Sequence, residues 1–347
     1  MKSDLLNPRH IYYTADALNH RGRAILDKFP EAARTAVAQH NRLPATELAH
    51  YKAKSDLLVL GRLKSLKIRD NGRSADFIAP SLANGCYGAC AYCYVDRHKV
   101  VNPVTLFTNT EEILQAVDQH SRKQPWPKAP NQTHRQWYTY DMGCNADISA
   151  DAHLSDHVEQ TVDFFRQHPQ TMGTFATKFV NEDLLKLRPE GKMRVRFSLM
   201  PPAISKLTEV RTDSVEQRIA AINRFWQAGY QVHLNFSPVI VYGGKQWRED
   251  YRQLFARLNQ ELLPEVKRQA ACEVIFLTHH AGQHQANLCI NPKAEGLLWQ
   301  PALQETKTSS YGGVNLRYKL RYKKEMVRIF SEMLASDLPW CPVRYIF

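Results

Sequence analysis

No stretch of this 347-residue chain stays apolar for the ~20 residues that a membrane span requires, so no membrane partner is expected. The opening residues, Met1 to His10, lack an apolar h-region, so no secretory signal is expected either. No internal repeat or low-complexity segment stands out. Cysteine is sparse and odd in number, seven in all, and four of the seven (Cys144, Cys272, Cys289 and Cys341) are scattered. That fits a reducing cytoplasm better than a disulfide framework. Acidic side chains are in deficit, with 34 Asp and Glu against 46 Lys and Arg, which leaves a formal charge of +12. A polyanion is the natural partner of such a surface, because neutralising phosphates releases counterions. Basic stretches lie at 52–67, 267–268 and 317–324, the last with Tyr318 and Tyr322 interleaved; a solvated lysine-rich face is the plainer reading of the same residues.

The composition that remains is that of a soluble globular protein, 44% hydrophobic and 23% charged, long enough for one large α/β domain or two smaller ones. Residues 1–70 show short helical patterns between polar stretches and are expected to form an N-terminal region packed on the main domain. From Ser74 strand-like and helix-like segments alternate. Strands are expected at 74–80, 137–142, 173–177, 194–199, 231–241 and 272–278. Helices are expected after a capping box at Asn109-Thr-Glu-Glu112, at 155–167, briefly after Asn181, from Asp213 to a stop at Gly229, and at 247–262. About six βα steps argue a parallel sheet, open or curled into part of a barrel, over residues 71–290. Sites in such sheets lie at the carboxyl ends of the strands. Residues 291–347 read as a C-terminal extension, with a final helix near 323–335.

Three cysteines crowd into Gly85-Cys-Tyr-Gly-Ala-Cys-Ala-Tyr-Cys-Tyr94, at Cys86, Cys90 and Cys93. The spacing C-x3-C-x2-C supplies three thiolates and no fourth nearby. Three thiolates can hold three irons of a [4Fe-4S] cube and leave one iron open to a small molecule, whereas a closed electron-transfer cluster takes four. His98, five residues past Cys93, offers the alternative of a Cys3His zinc site in a non-catalytic nucleic-acid-binding protein.

The loop resembles that of the radical S-adenosylmethionine superfamily and, within it, the spore photoproduct lyase family. The narrower resemblance rests on the whole loop 85–94, on Cys144-Asn-Ala-Asp147 leading through Ala152-His-Leu154, on Phe175-Ala-Thr-Lys178-Phe-Val-Asn181, on Arg194-Val-Arg-Phe-Ser198, and on Tyr51 to Gly61. It runs from about residue 10 to about 260, with a looser tail. The resemblance implies a partial (β/α)6 TIM-type barrel with N-terminal and C-terminal extensions. It implies a [4Fe-4S] cluster on Cys86, Cys90 and Cys93, and S-adenosylmethionine positioned by Lys178, Ser198 and Asp147. It also implies a radical enzyme that repairs a thymine–thymine photolesion in DNA: a 5′-deoxyadenosyl radical abstracts a hydrogen, and a thiol returns one. Cys144 matches the hydrogen-donating cysteine, and Tyr92 and Tyr94 match tyrosines that relay a hydrogen back towards the cofactor. A flavodoxin- or ferredoxin-type reductant is implied as the electron source.

The chain departs from the family pattern in its lesion-reading half. Ala146 stands where the family carries a serine, and the segment 241–247 is longer than its counterpart and lacks an expected histidine. At Ser309-Ser310-Tyr311-Gly312-Gly313 the hairpin tyrosine matches but the arginine before it does not. Tyr311, Arg317 and Arg321 are the substrate-contact candidates, and another nucleic-acid or small-molecule substrate for the same radical chemistry stays open.

Overall fold

The computed structural model describes residues 6–44, 48, 50–93, 95, 102–308 and 314–347, and within them Leu57–Gly61 is a strand with every residue buried. A run apolar on both faces has no alternation, which is why the N-terminal region reads from its sequence as helical patterns rather than as part of a sheet. Leu57–Gly61 pairs in parallel with His10–Tyr13 on one side and Val104–Phe107 on the other. Ala33–Ala36 extends the sheet beyond His10–Tyr13, and Ala83–Asn84 closes its far edge antiparallel to Val104–Phe107.

The chain forms two units. Unit 1 takes Met1–Tyr87, Val101–Arg196 and Gln227–Gln231; unit 2 takes Gly88–Val100, Phe197–Trp226 and Val232–Phe347. Beside the five-stranded sheet, unit 1 holds the strands Arg69–Asp70, Phe77–Ile78, Tyr138–Asp141 and Thr171–Thr177, adjacent in that order. Phe77–Ile78 and Thr171–Thr177 both run parallel to Tyr138–Asp141, as βα connections require. The helix His157–Gln167 covers them with Val158, Thr161, Val162 and Phe165, one stripe at helical spacing. Gly173 fits beneath Phe165 because a Cβ there would lie 2.7 Å from the ring and 2.4 Å from the Met193 sulfur. The core of the five-stranded sheet gathers Ile11, Ile25, Leu58, Leu60, Leu106, Tyr87 and Phe179.

The helix Thr110–Ser121 begins where its acidic start predicts, but its capping box does not form. The Asn109 side chain caps no helix amide; it accepts from the Leu63 amide at 2.9 Å and donates to the Leu63 carbonyl at 3.1 Å and to Glu112 Oε2 at 3.2 Å. A tertiary partner here wins over a local one.

Unit 2 is built on the parallel strands Gln231–Val239, Cys272–Phe276 and Val343–Ile346, so the chain's last segment is a sheet strand. The helix Gln246–Glu261 buries Trp247, Tyr251, Leu254, Phe255 and Leu258. These meet Phe330 of the helix Leu320–Asp337, whose ring stacks on Trp247 at 6.3 Å and meets Tyr251 edge-on at 5.0 Å. The helix Val215–Gln227 starts on a reciprocal box: the Ser214 amide donates to Gln217 at 2.9 Å, and the Gln217 amide donates to Ser214 Oγ at 3.3 Å. Gly229 (φ +93°) then turns the chain out of it. Gln304–Thr308 and Val314–Tyr318 form an antiparallel hairpin braced by Thr278–His280. Among the described residues no helix is long and apolar enough to cross a membrane.

Candidate active site

In unit 1 the candidate residues begin at the carboxyl end of Tyr138–Asp141, the end at which parallel sheets carry their sites. The Met142 amide still pairs with the Thr174 carbonyl at 2.9 Å. Then Asp141 Oδ1 accepts from the Gly143 amide at 3.2 Å and turns the backbone one residue before Cys144. Asp141 is itself held by Arg196, Nη2 to Oδ2 at 2.6 Å, a pair with side chains only 6% and 9% exposed. Cys144 is half-buried. The next carbonyl, Asn145, accepts from the Gly85 amide at 3.0 Å, which ties this turn to the residue before Cys86. Gly85 is required there: its φ is +90°, and a Cβ would meet the Pro103 carbonyl oxygen at 2.8 Å.

Asp147 caps the short helix Ile148–Asp151 and is buried. Its Oδ1 accepts from Thr177 Oγ1 at 2.7 Å, and its Oδ2 accepts from the Lys178 amide at 2.9 Å. Burial raises its pKa, against the lowering effect of those two donors. Its carboxylate thereby joins the Cys144 turn to the end of Thr171–Thr177, where Lys178 emerges half-buried. Asp151, one helical turn on, is 1% exposed, and neither of its oxygens has a hydrogen-bond partner among the described residues. Burial first, and then the Asp147 charge, lift its pKa well above the usual carboxyl range.

Cys86 lies in unit 1, and its carbonyl accepts from Lys54 Nζ at 2.9 Å. Lys54 is 0% exposed, although it sits inside the basic stretch 52–67 that reads as surface. An ammonium is buried only where something holds it, and here the backbone of the first cysteine contributes.

The other two cysteines lie in unit 2. Ala89–Cys90 pairs antiparallel with Glu209–Val210, Cys90 opposite Glu209. The Ala91 amide donates to the Thr208 carbonyl at 2.8 Å, Asn287 Nδ2 donates to the Ala91 carbonyl, and the Cys93 amide folds back on the Cys90 carbonyl at 3.0 Å. The Tyr92 hydroxyl donates to Glu209 Oε1. Burial, the Glu209 charge and then Cys90 drive the Tyr92 pKa far above that of a free phenol. Ser198 is buried at the end of Met193–Ser198, its Oγ accepting from Asn235 Nδ2 at 3.3 Å and its carbonyl accepting from Arg218 Nη1 at 2.9 Å.

Of the substrate-contact candidates, Arg317 is half-buried and pairs with Glu305 at 2.9 Å, while Arg321 is exposed in the first turn of Leu320–Asp337. Tyr94, Tyr311 and the alternative zinc ligand His98 lie outside the described residues. Sequence reasoning did not single out Lys54, Asp141, Arg196, Glu209 or Arg218. Only Arg218 left a signal, as a cation on the buried stripe shared by Val215, Ile219 and Ile222.

Soft thiolates are the ligands that iron–sulfur clusters take, and the half-buried thiols of Cys86 in unit 1 and of Cys90 and Cys93 in unit 2 have that chemistry; among the described residues no three His, Cys, Asp or Glu side chains are grouped to hold a single metal ion.

A family model for spore photoproduct lyase matches residues 6–347. The spore photoproduct lyase of Bacillus subtilis (strain 168) is 30% identical over 277 residues, which is 77% of this chain and 78% of that protein. That of Geobacillus sp. (strain Y412MC61) is 26% identical over 351 residues, 97% of this chain and 98% of the relative. Among solved structures, a double mutant of spore photoproduct lyase with bound AdoMet and dinucleoside spore photoproduct superposes with a TM-score of 0.87 at 24% identity, covering 98% of this chain and 99% of that one. Spore photoproduct lyase complexed with the dinucleoside alone gives 0.83 at 25% identity, with the same coverage. The fold is mixed α/β of the partial-barrel class that the resemblance implied, one of the two sheet forms the βα rhythm allowed.

Proposed function

The chain belongs to the spore photoproduct lyase family, and from that premise we propose that it reverses the thymine–thymine spore photoproduct in DNA. What carries this reading is a family match across residues 6–347, joined to the retention of three loop thiols and of Cys144 on its strand-end turn. A [4Fe-4S] cluster held by Cys86, Cys90 and Cys93 would, together with S-adenosylmethionine, supply one-electron cleavage of a carbon–sulfur bond.

The chain's own residues hold, orient and finish. Cys86, Cys90 and Cys93 bind the cluster, the first with its carbonyl fixed by Lys54. Lys178 and Ser198 grip the methionine end of the cofactor, the ammonium pairing with a carboxylate as a charge-assisted contact. Asp147 serves the same site by fixing the Lys178 amide. Cys144 gives a hydrogen atom to the product radical, a task suited to a weak S–H bond, and Tyr92 and Tyr94 relay a hydrogen atom to the resulting Cys144 thiyl, so that the radical returns towards the cofactor. Tyr311 contacts the lesion once it has left the stack, and Arg317 and Arg321 contact the DNA. The electron comes from a flavodoxin- or ferredoxin-type donor.

The test is an anaerobic assay of reconstituted protein with dithionite, S-adenosylmethionine and an oligonucleotide carrying spore photoproduct. Restored adjacent thymines are expected. Cofactor cleavage without any lesion reversal would remove the repair assignment and leave the radical chemistry for another substrate.

A further inference from the structure

A buried ion pair in unit 2 has no role in the chemistry above. Arg218 is 0% exposed and meets Glu209 Oε2 at 2.8 Å, with the Glu209 side chain 1% exposed. All five guanidinium N–H bonds are donated: Nε to the Asp213 carbonyl at 2.9 Å, Nη1 to Glu209 and to the Ser198 carbonyl at 2.9 Å, and Nη2 to Thr212 Oγ1 at 2.7 Å and Ser205 Oγ at 3.5 Å. Ser205 Oγ also donates to Glu209 Oε2 at 2.7 Å, which leaves Oε1 for the Tyr92 hydroxyl. Apolar residues of similar volume stabilise a core as well as a buried pair does, and the best-attested use of such a pair is to specify one arrangement among several. Here the arrangement is that of the arm 88–93. Glu209 lies opposite Cys90 in the strand pairing, takes the only hydroxyl hydrogen of Tyr92, and is held by the arginine that fixes Ser198.

We infer that Glu209 and Arg218 are positioning residues that preset the cluster arm, so that Cys90, Tyr92 and Cys93 are in place before iron arrives. This rests on the reading of Cys90 and Cys93 as cluster ligands and of Tyr92 as a relay. Arg218 fixes Glu209, and Glu209 fixes the arm twice, through the ladder and through the phenol. Turning the Tyr92 ring away would strip a buried carboxylate of a donor, so a charged acceptor sets its rotamer.

The test uses the full chain in two states. In the metal-free protein, hydrogen exchange at the Ala91 and Cys93 amides is compared with that in the helix Gln246–Glu261. Glu209→Gln should speed exchange in the arm by about tenfold, the equivalent of one hydrogen bond, and leave the helix unchanged. Ser205→Ala, a milder loss, should act in the same direction and less. After anaerobic reconstitution, the cluster's reduction potential is followed by electron paramagnetic resonance. Glu209→Gln leaves the Arg218 charge uncompensated near Cys90 and should shift the potential upward, and adding Arg218→Met should bring it back. Unchanged arm exchange, equal acceleration in the control helix, or a potential indifferent to both variants would overturn the inference. Should the wild-type chain assemble no cluster, the proposed function fails, and the exchange comparison still decides the arm by itself.

Discussion

Replacing Arg196 by methionine tests whether the turn that carries Cys144 is held by charge. Arg196 Nη2 lies 2.6 Å from Asp141 Oδ2, and Nε reaches Thr174 Oγ1 at 3.2 Å. Methionine keeps much of the volume and removes the cation, leaving Asp141 with longer contacts, to Ser74 Oγ at 3.3 Å and the Gly143 amide at 3.2 Å. Stripping one partner from a buried pair costs about 3–5 kcal/mol, because the remaining charge is neither solvated nor paired. For a unit of this size that is a fall in melting temperature on the order of 10 °C. Thermal and urea unfolding monitored by circular dichroism measure it. Alkylation of Cys144, followed by peptide mapping, should accelerate, because the Asp141 carboxylate that bends the chain at Gly143 loses its anchor. Asp141→Asn combined with Arg196→Met removes both charges and should recover more than half of the loss, about 2 kcal/mol relative to the single variant. A single variant as stable as wild type, or a double variant worse than the single, would refute the account.

Three further outcomes are expected. Cys144→Ala should cleave S-adenosylmethionine normally while losing clean conversion of the lesion, read by chromatography of the nucleosides; unaltered product formation would reject the donor role. His157 is fully buried, and burial, aided by the Arg21 charge, lowers its pKa from 6.5 to about 3, so the fold excludes a proton that the unfolded chain accepts. Its contribution is therefore fully present above pH 6.5 and lost on acidification at ~1.4 kcal/mol per pH unit until the folded pKa is passed, a slope that His157→Gln should flatten in urea titrations at successive pH values. Arg321→Ala should weaken binding to DNA of any sequence and reduce the slope of log affinity against log salt by about one, while an unchanged slope would take Arg321 off the phosphate backbone.

The two helix starts show why local signals succeed in one place and fail in another. Ser214 and Gln217 cap each other, and among the described residues no distant group competes for their side chains. Asn109 and Glu112 have the same promise in sequence, yet Leu63 offers Asn109 both a donor and an acceptor, and that bidentate contact wins. The same competition hides the N-terminal sheet, since a strand buried on both faces carries no alternation to read. One crossing between the two units is equally silent: it falls inside the strand Met193–Ser198, where no glycine, proline or shift in charge marks a boundary.

The amino-acid sequence by itself determined what is local or covalent: three thiols at C-x3-C-x2-C, a cysteine just past a strand end, the stripes that bury each helix, and a basic surplus of +12. Only the tertiary structure decided which charges leave the surface. Lys54 reaches the carbonyl of Cys86 across 32 positions, Arg196 reaches Asp141 across 55, and Tyr92 reaches Glu209 across 117. Burying an ion is unfavourable until a specific partner is in place, and that partner is chosen by the fold, through distances that neighbours along the chain do not encode.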